Sequence, residues 1–239
     1  VLSVTLFVLT LFVVGMTNVL AQTFTVGNLN YSINSDGVSV TVIGNDGQNT
    51  SGEFVIPETV NYWGATYNVT SIGNQAFDNC SIITSVSIGD LVTYIGIGAF
   101  RGCHGLSSVN IGSSVTQIDV QAFMSCENLT SITIPESVTS IGAGVFYGCG
   151  LVSVDYNATN CYSTGVGTYN NNPAYWLSNC PSLANVTIGE NVVIIPSNFI
   201  NGCSSLTGIL NIPNSVTSIG ENAFNGCSGF SGSLTIPNA

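Results

Sequence analysis

VTSIGNQAFDNC, residues 69–80, is the stretch of this chain that decides its fold. Near-copies of it follow at residues 92–103 (VTYIGIGAFRGC), 115–126 (VTQIDVQAFMSC), 138–149 (VTSIGAGVFYGC) and 216–227 (VTSIGENAFNGC). Seven of the eight cysteines lie at positions 80, 103, 126, 149, 180, 203 and 227. Regular spacing of this kind indicates an internal repeat, so the chain is predicted to consist of units of about 23 residues.

Each unit also has a second apolar run after its cysteine, such as LSSVNI at residues 106–111. Both runs alternate apolar and polar residues, which predicts two short strands per unit, each with one buried face. Glycine follows the first run in four units, at positions 73, 96, 142 and 220. At these positions we expect a tight turn with a positive φ.

A unit this short cannot bury its apolar face alone, so the copies must stack and share one core. Residues at the same position in each unit then form ladders along the stack. The expected ladders are Ile72, Ile95, Ile118, Ile141, Ile194 and Ile219, and Phe77, Phe100, Phe123, Phe146 and Phe224. The predicted fold is therefore a mainly β solenoid.

The repeated pattern, Leu-x-x-Val-x-Ile followed by Ser-Val-Thr-x-Ile-Gly-x-x-Ala-Phe-x-x-Cys, resembles the BspA-type leucine-rich repeat over residues 69–239. That family is found in surface proteins of oral and gut bacteria and of some mucosal protozoa. The resemblance implies a right-handed leucine-rich-repeat solenoid, adhesion to host proteins or other cells, and no catalytic residues. The chain departs from the pattern in the fifth unit, which is eight residues longer, and in the sixth, where Phe199-Ile200 replaces Ala-Phe.

The N-terminal part of the chain lacks the repeat. Residues 1–21 combine an apolar core with small residues before Ala21, which predicts a cleavable signal peptide; a membrane anchor is the alternative. Residues 22–68 are expected to form an N-terminal β-hairpin cap containing a degenerate repeat, and residues 69–239 to hold seven repeats. Because the chain starts without Met and stops at a repeat boundary, we expect both true termini to lie outside it.

Composition excludes several kinds of partner. The chain has 12 acidic residues against one Arg and no Lys, a net charge of −11, and only 5% charged residues. Such a chain cannot neutralise a phosphate backbone, so we expect no nucleic-acid partner. Anionic membrane surfaces are disfavoured for the same reason, and no membrane insertion is expected after removal of the signal.

The sequence does not indicate catalytic chemistry, a cofactor or a metal site. Cysteines in a uniform ladder have no preferred partner, so buried free thiols are expected; a disulfide from Cys161 to Cys149 or Cys180 is the alternative. His104 and Arg101 flank Cys103, but this cysteine holds the same repeat position as six others, so the group does not indicate a catalytic site. The carboxylates are spread about one to a unit, and no nucleophile has a visible base. We therefore predict that the protein is not an enzyme.

Two groups of residues are candidates for binding. The solvent side of the main strand ladder presents Ser108, Asn110, Ser131 and Thr133, although these are also ordinary polar strand residues. The insertion at 155–176 concentrates aromatic and amide side chains: Tyr156, Tyr162, Tyr169, Asn171, Tyr175 and Trp176. Loops on a rigid scaffold often carry function, but Tyr175, Trp176 and Leu177 can also replace the missing Ala-Phe in the core.

Two functions remain open from the sequence. The first is a secreted or cell-surface module for adhesion or protein–protein interaction, whose partner is an extracellular protein or glycan on host or neighbouring cells. The second is a structural spacer or self-associating surface-layer element without a specific ligand.

Overall fold

A computed structural model describes residues 22–45, 52–164, 167–169 and 172–231. The predicted signal peptide lies outside these residues. The described part of the chain is built from strands and turns, with no helix. No helix able to cross a membrane is therefore found in it.

The strands fall into four groups. The cap holds β1 (Thr23–Val26), β2 (Leu29–Ile33), β3 (Ser39–Asn45), β5 (Thr59–Tyr62) and β6 (Ala65–Ile72). The longer repeat strands are β4 (Gly52–Ile56), β7 (Ile83–Ile88), β9 (Ser108–Asn110), β11 (Ser131–Ile134), β13 (Ser153–Tyr156) and β17 (Asn185–Ile188). The two-residue strands are β8 (Tyr94–Ile95), β10 (Gln117–Ile118), β12 (Ser140–Ile141), β14 (Ser163–Thr164), β18 (Ile194–Ile195) and β19 (Ser218–Ile219). A hairpin in the insertion contains β15 (Gly167–Tyr169) and β16 (Asn172–Ala174).

The repeat strands form parallel ladders, as the period requires. The longer strands pair in the orders β4-β7-β9 and β11-β13-β17, and the short ones continue the cap sheet as β6-β8-β10-β12-β14. In the short ladder Ile72, Ile95, Ile118 and Ile141 lie in register. The predicted mainly β leucine-rich-repeat solenoid is confirmed.

The isoleucine ladder differs from the prediction in the sixth unit. Ile219 pairs with Ile195, whereas Ile194 pairs with Ser218. Strand residues alternate between faces, so a shift of one residue moves a side chain from the core to the surface. Ile195 is fully buried and Ile194 is only half-buried, so Ile195 is the ladder residue.

Phenylalanine rings form the centre of the stack. The rings of Phe77, Phe100, Phe123 and Phe146 lie nearly parallel, with successive centroids 5.1, 5.2 and 5.5 Å apart. At this separation offset stacking adds stabilisation to the burial of each ring. Because these units are equally spaced along the chain, their phenylalanine rings form a continuous aromatic column.

The four glycines after the first run do not adopt the positive φ that we expected. At Gly96, Gly142 and Gly220 the neighbouring unit lies too close for a side chain, whereas Gly73 has more room next to the cap. A Cβ at Gly142 would lie 2.3 Å from the backbone nitrogen of Val120, and one at Gly220 would lie 2.2 Å from that of Ser197. Positive φ occurs instead at other turn positions, such as Gly102 (+68°) and Asn79 (+57°), each directly before a cysteine.

Antiparallel strands cover the first apolar face of the stack. β1, β2 and β3 form a meander, and β5 and β6 form a hairpin whose second strand continues into the short-strand ladder. Asp36 in the β2–β3 turn accepts hydrogen bonds from the backbone nitrogens of Val38 and Ser39. Phe24, Tyr31 and Val60 of these strands are buried in the same core as the repeats.

Candidate functional site

The outward-facing residues of the longer repeat strands form a regular surface, which we call the strand face. Ser108, Asn110, Ser131 and Thr133 are all exposed on β9 and β11. The surface continues on β13 and β17, where Thr133 pairs with Asp155 and Asp155 with Thr187. Parallel strands place these side chains in rows about 4.8 Å apart.

The strand face is almost uncharged. It carries mainly hydroxyl and amide groups; its acidic members are Glu53 on β4 and Asp155 on β13, and Val55 on β4 adds an exposed apolar side chain. Alternating residues, such as Ile132 and Val154, are buried beneath it and fix the positions of the exposed ones. A rigid row of neutral donors and acceptors can form hydrogen bonds with an extended polar ligand, but it offers no aromatic anchor.

The structure separates the aromatic residues of the insertion into two sets. Tyr156 and Trp176 have no exposed surface, so they cannot contact a ligand as the sequence had led us to expect. Tyr162 is 71% exposed and Tyr175 is half-buried. Tyr169 lies on β15, and its side chain, like the whole of Asn171, falls outside the described residues.

Trp176 and Tyr156 have a structural role in the core. The backbone oxygen of Trp176 accepts the hydrogen bond from Phe146 that an alanine or valine oxygen accepts in earlier units. The Trp176 indole donates to the backbone oxygen of Phe199. Tyr156 packs against the rings of Trp176 and Phe199 at centroid distances of 6.0 and 4.7 Å. Trp176 therefore takes the place of the missing Ala-Phe in the core, which was the alternative to a binding role.

The cysteines form hydrogen bonds along the stack. The thiols of Cys103, Cys126 and Cys149 donate to the backbone oxygens of Phe77, Phe100 and Phe123 at 3.0–3.2 Å. All eight cysteines lie among the described residues and carry thiols rather than disulfide bonds, so the bond from Cys161 to Cys149 or Cys180 is not formed. Burial raises the pKa of Cys103 and of Cys203 to about 12, so both remain neutral at physiological pH. These thiols are structural donors rather than nucleophiles.

Two contacts between basic and acidic side chains are found among the described residues. Arg101 donates two hydrogen bonds to Asp78, at 2.9 and 2.6 Å, and so links the first two units. His104 lies 3.7 Å from Glu127, and both side chains are largely exposed. Among the residues described, no three His, Cys, Asp or Glu side chains are grouped to hold a metal ion.

One group of aromatic residues in the cap was not among the candidates predicted from the sequence. Tyr62, Trp63 and Tyr67 lie on the β5–β6 hairpin of the cap, and Trp63 is 88% exposed. The signal was present in the turn Trp63-Gly64, because a two-residue hairpin turn normally carries Asn-Gly or Asp-Gly. A tryptophan at that position is costly for the turn and contributes nothing to the core.

Comparison with known proteins agrees with this geometry. The family model of the BspA-type leucine-rich repeat region matches residues 54–174 and 170–239, in six copies. The chain belongs to the BspA-type leucine-rich repeat family. The match begins at residue 54, within the stretch 22–68 that was expected to contain a degenerate repeat.

Bacterial leucine-rich repeat proteins of known structure share the fold. The T. pallidum leucine rich repeat protein TpLRR is 25% identical, with a TM-score of 0.68 over 88% of this chain and 91% of that one. A leucine-rich repeat protein from Bacteroides ovatus is 26% identical, with a TM-score of 0.60, and the match covers 82% and 55% of the two chains. No curated protein resembles the chain at a significant level.

A third relative is named by its location. A leucine rich cell surface protein from Faecalibacterium prausnitzii is 30% identical, with a TM-score of 0.55 over 88% of this BspA-type chain and 53% of that protein. The chain thus spans about half the length of this relative and of the one from Bacteroides ovatus.

Proposed function

We propose that this BspA-type chain is a secreted or cell-surface adhesion module that binds an extracellular protein through its strand face. The observation that carries the proposal is the exposure of Ser108, Asn110, Ser131 and Thr133 on two parallel ladders, in which β9 lies in register with β7 and β11 lies in register with β13. A surface location is supported by the relative named as a leucine rich cell surface protein.

The chemistry of the strand face favours a polypeptide partner. Hydroxyl and amide side chains can donate to and accept from the backbone and polar side chains of another protein. The face has no aromatic platform for a sugar ring, and the net charge of −11 disfavours polyanions. A broad neutral surface of this kind gives specificity through many matched hydrogen bonds rather than through one dominant residue.

A spacer function is the second candidate, and one observation favours it. Threonine hydroxyls outside the strand face donate hydrogen bonds to the backbone oxygen of the threonine one unit earlier. These bonds run from Thr93 to Thr70, from Thr116 to Thr93 and from Thr139 to Thr116, with oxygen–oxygen distances of 3.1–3.2 Å. Bonds of this kind stiffen the stack without recognising anything. A protein whose repeats serve only as a spacer would form these hydrogen bonds and would tolerate substitution of its surface residues.

A pair of matched variants separates the two functions. The double change Asn110→Glu and Thr133→Glu places two carboxylates on the strand face, whereas Gln117→Glu and Ser218→Glu add the same charge to the exposed short-strand ladder. The parent chain and both variants are fluorescently labelled and incubated with host cells and with neighbouring bacterial cells. We expect the first variant to lose at least about tenfold in cell binding, because desolvated carboxylates would lack partners.

The control variant should bind as the parent does. Equal binding by both variants would remove the strand face from the adhesive surface. If the parent chain binds neither cell type, the spacer function is favoured instead. Deletion of residues 157–172 in the same assay tests whether the insertion contributes.

A further inference from the structure

Trp63 occupies an unusual position at the tip of the β5–β6 hairpin. Its backbone has φ of +52°, a left-handed conformation that is rare for a bulky side chain, and it is followed by Gly64 at +84°. Its side chain is 88% exposed. The ring therefore gains little from burial while its backbone is strained, a combination found at functional positions rather than structural ones.

The residues around Trp63 form a small open cavity of about 200 Å³. It is lined by Gln22, Tyr62, Trp63, Ala65 and Tyr67. Three of these five are aromatic, one is an amide, and none is charged. Tyr62 and Ala65 are paired across the hairpin, so their side chains lie on the same face of it.

The floor of this cavity is rigid. The ring of Tyr62 stacks on Phe24 with a centroid distance of 4.1 Å and an interplanar angle of 8°. Tyr67 packs against the same Phe24 at 5.9 Å, and Phe24 in turn stacks on the buried Tyr31. The tyrosines are thus held in place by the cap core, and Trp63 stands beside Tyr62 at 6.1 Å.

We propose that this cap cavity binds a single neutral sugar ring at the end of a glycan. The apolar C–H face of a sugar packs against the faces of aromatic rings, and its hydroxyls pair with the amide of Gln22 and the phenols of the tyrosines. None of the five lining side chains is charged, so the cavity offers aromatic faces and neutral hydrogen-bonding groups, which suit a neutral sugar.

The size of the cavity argues for one ring. Pockets that enclose drug-sized ligands measure about 300–1,000 Å³, so a cavity of this volume accommodates one sugar residue and leaves the rest of a glycan in solvent.

The proposed sugar site goes beyond the adhesive strand face and can succeed or fail independently of it. It lies in the cap sheet, whereas the strand face is formed by the longer repeat strands. Its chemistry is also different, since it depends on aromatic rings that the strand face does not contain. Variants in one surface should leave the other unchanged.

The two tryptophans of the chain allow a direct measurement. Trp63 is exposed and Trp176 is fully buried, so acrylamide should quench the fluorescence of Trp63 and spare that of Trp176. Neutral methyl hexosides, which mimic the terminal residue of a glycan, are expected to protect Trp63 from quenching. Saturation-transfer NMR on the same glycosides provides a second readout that does not depend on tryptophan.

The decisive variant is Trp63→Asn, which places the preferred Asn-Gly pair in the turn and so preserves the hairpin. We expect it to bind the hexosides at least about tenfold more weakly. Val38→Ala, which truncates another exposed apolar side chain of the cap, should bind them as the parent does.

Three results would overturn the sugar site. One is unchanged hexoside binding by the Trp63→Asn chain. Another is a failure of every neutral glycoside to protect Trp63, including the case in which a protein protects it. The third is binding only of free reducing sugars, which would contradict recognition of a glycan end.

Discussion

Single glycines set the distance between neighbouring units of the solenoid. A Cβ on Gly142 would meet the Val120 backbone nitrogen at 2.3 Å, and this nitrogen cannot move without displacing the whole unit. Gly73 holds the same position in the first unit, where the nearest atom, the backbone oxygen of Val42 in the cap, would be 3.2 Å away. The same residue type is therefore required by close approach between repeats and much less so next to the cap.

This difference can be measured by substitution. Gly142→Ala should lower the free energy of unfolding by about 2–3 kcal/mol, because overpacking against backbone forces the units apart. Gly73→Ala should cost less than about 1 kcal/mol, since the added methyl group needs only a small shift and reduces the entropy of the unfolded chain. Urea denaturation of both variants checks the prediction. Similar losses for the two would show that contact with the neighbouring backbone does not decide where glycine is required.

At the scale of one element, the two core residues before the cysteine stand in the reverse order in the fifth and sixth units. Earlier units place a small residue and then Phe before the cysteine, as in Ala122-Phe123, whereas these two place an aromatic residue first, as in Trp176-Leu177 and Phe199-Ile200. Leu177 and Ile200 are almost fully buried where Phe stacks elsewhere. Tyr156, at a strand position that holds Ile134 in the preceding unit, fills the remaining space.

This exchange marks the limit of prediction from the sequence. Identical spacing identified the ladders, because residues 23 apart must stack if the units are equivalent. Where the units differ, no local pattern shows that Tyr156 compensates for a smaller residue 21 positions later. The buried Tyr156 and Trp176 therefore looked like binding residues, while Trp63, in a segment recognised only as a hairpin, was not considered as one.

The β5–β6 hairpin provides a second prediction at this scale. Trp63 holds a left-handed backbone conformation that Asn adopts at lower cost, and its side chain is 88% exposed. Trp63→Asn should therefore raise the free energy of unfolding by about 1 kcal/mol. Thermal denaturation followed by circular dichroism measures the change. A lower melting temperature would show that the ring stabilises the cap and would weaken the case for a binding role.

The stability of the whole molecule should depend on keeping its thiols protonated. Burial raises the pKa of Cys103 from 9.0 to about 12. It also raises the pKa of Cys203 and of Cys180. The pKa of Cys126 is raised as well, first by its interaction with Cys149 and then by burial. A thiolate at these positions would be desolvated and would lose its bond to a backbone oxygen. In the unfolded chain the same thiols ionise near their ordinary pKa. The unfolded state thus gains from ionisation at a pH where the folded state does not.

The direction of the pH dependence follows. A folded-state pKa that is raised contributes stability that is complete below the unfolded pKa, near pH 9, and is lost as the pH rises toward 12. We expect the free energy of unfolding to be level from pH 7 to 8 and then to fall by about 1 kcal/mol per pH unit for each such thiol. Urea denaturation between pH 7 and 10 under reducing conditions measures the slope. Cys103→Ser, whose hydroxyl can donate to Phe77 without ionising, should reduce the slope by one thiol's share; an unchanged slope would mean that other groups titrate on unfolding.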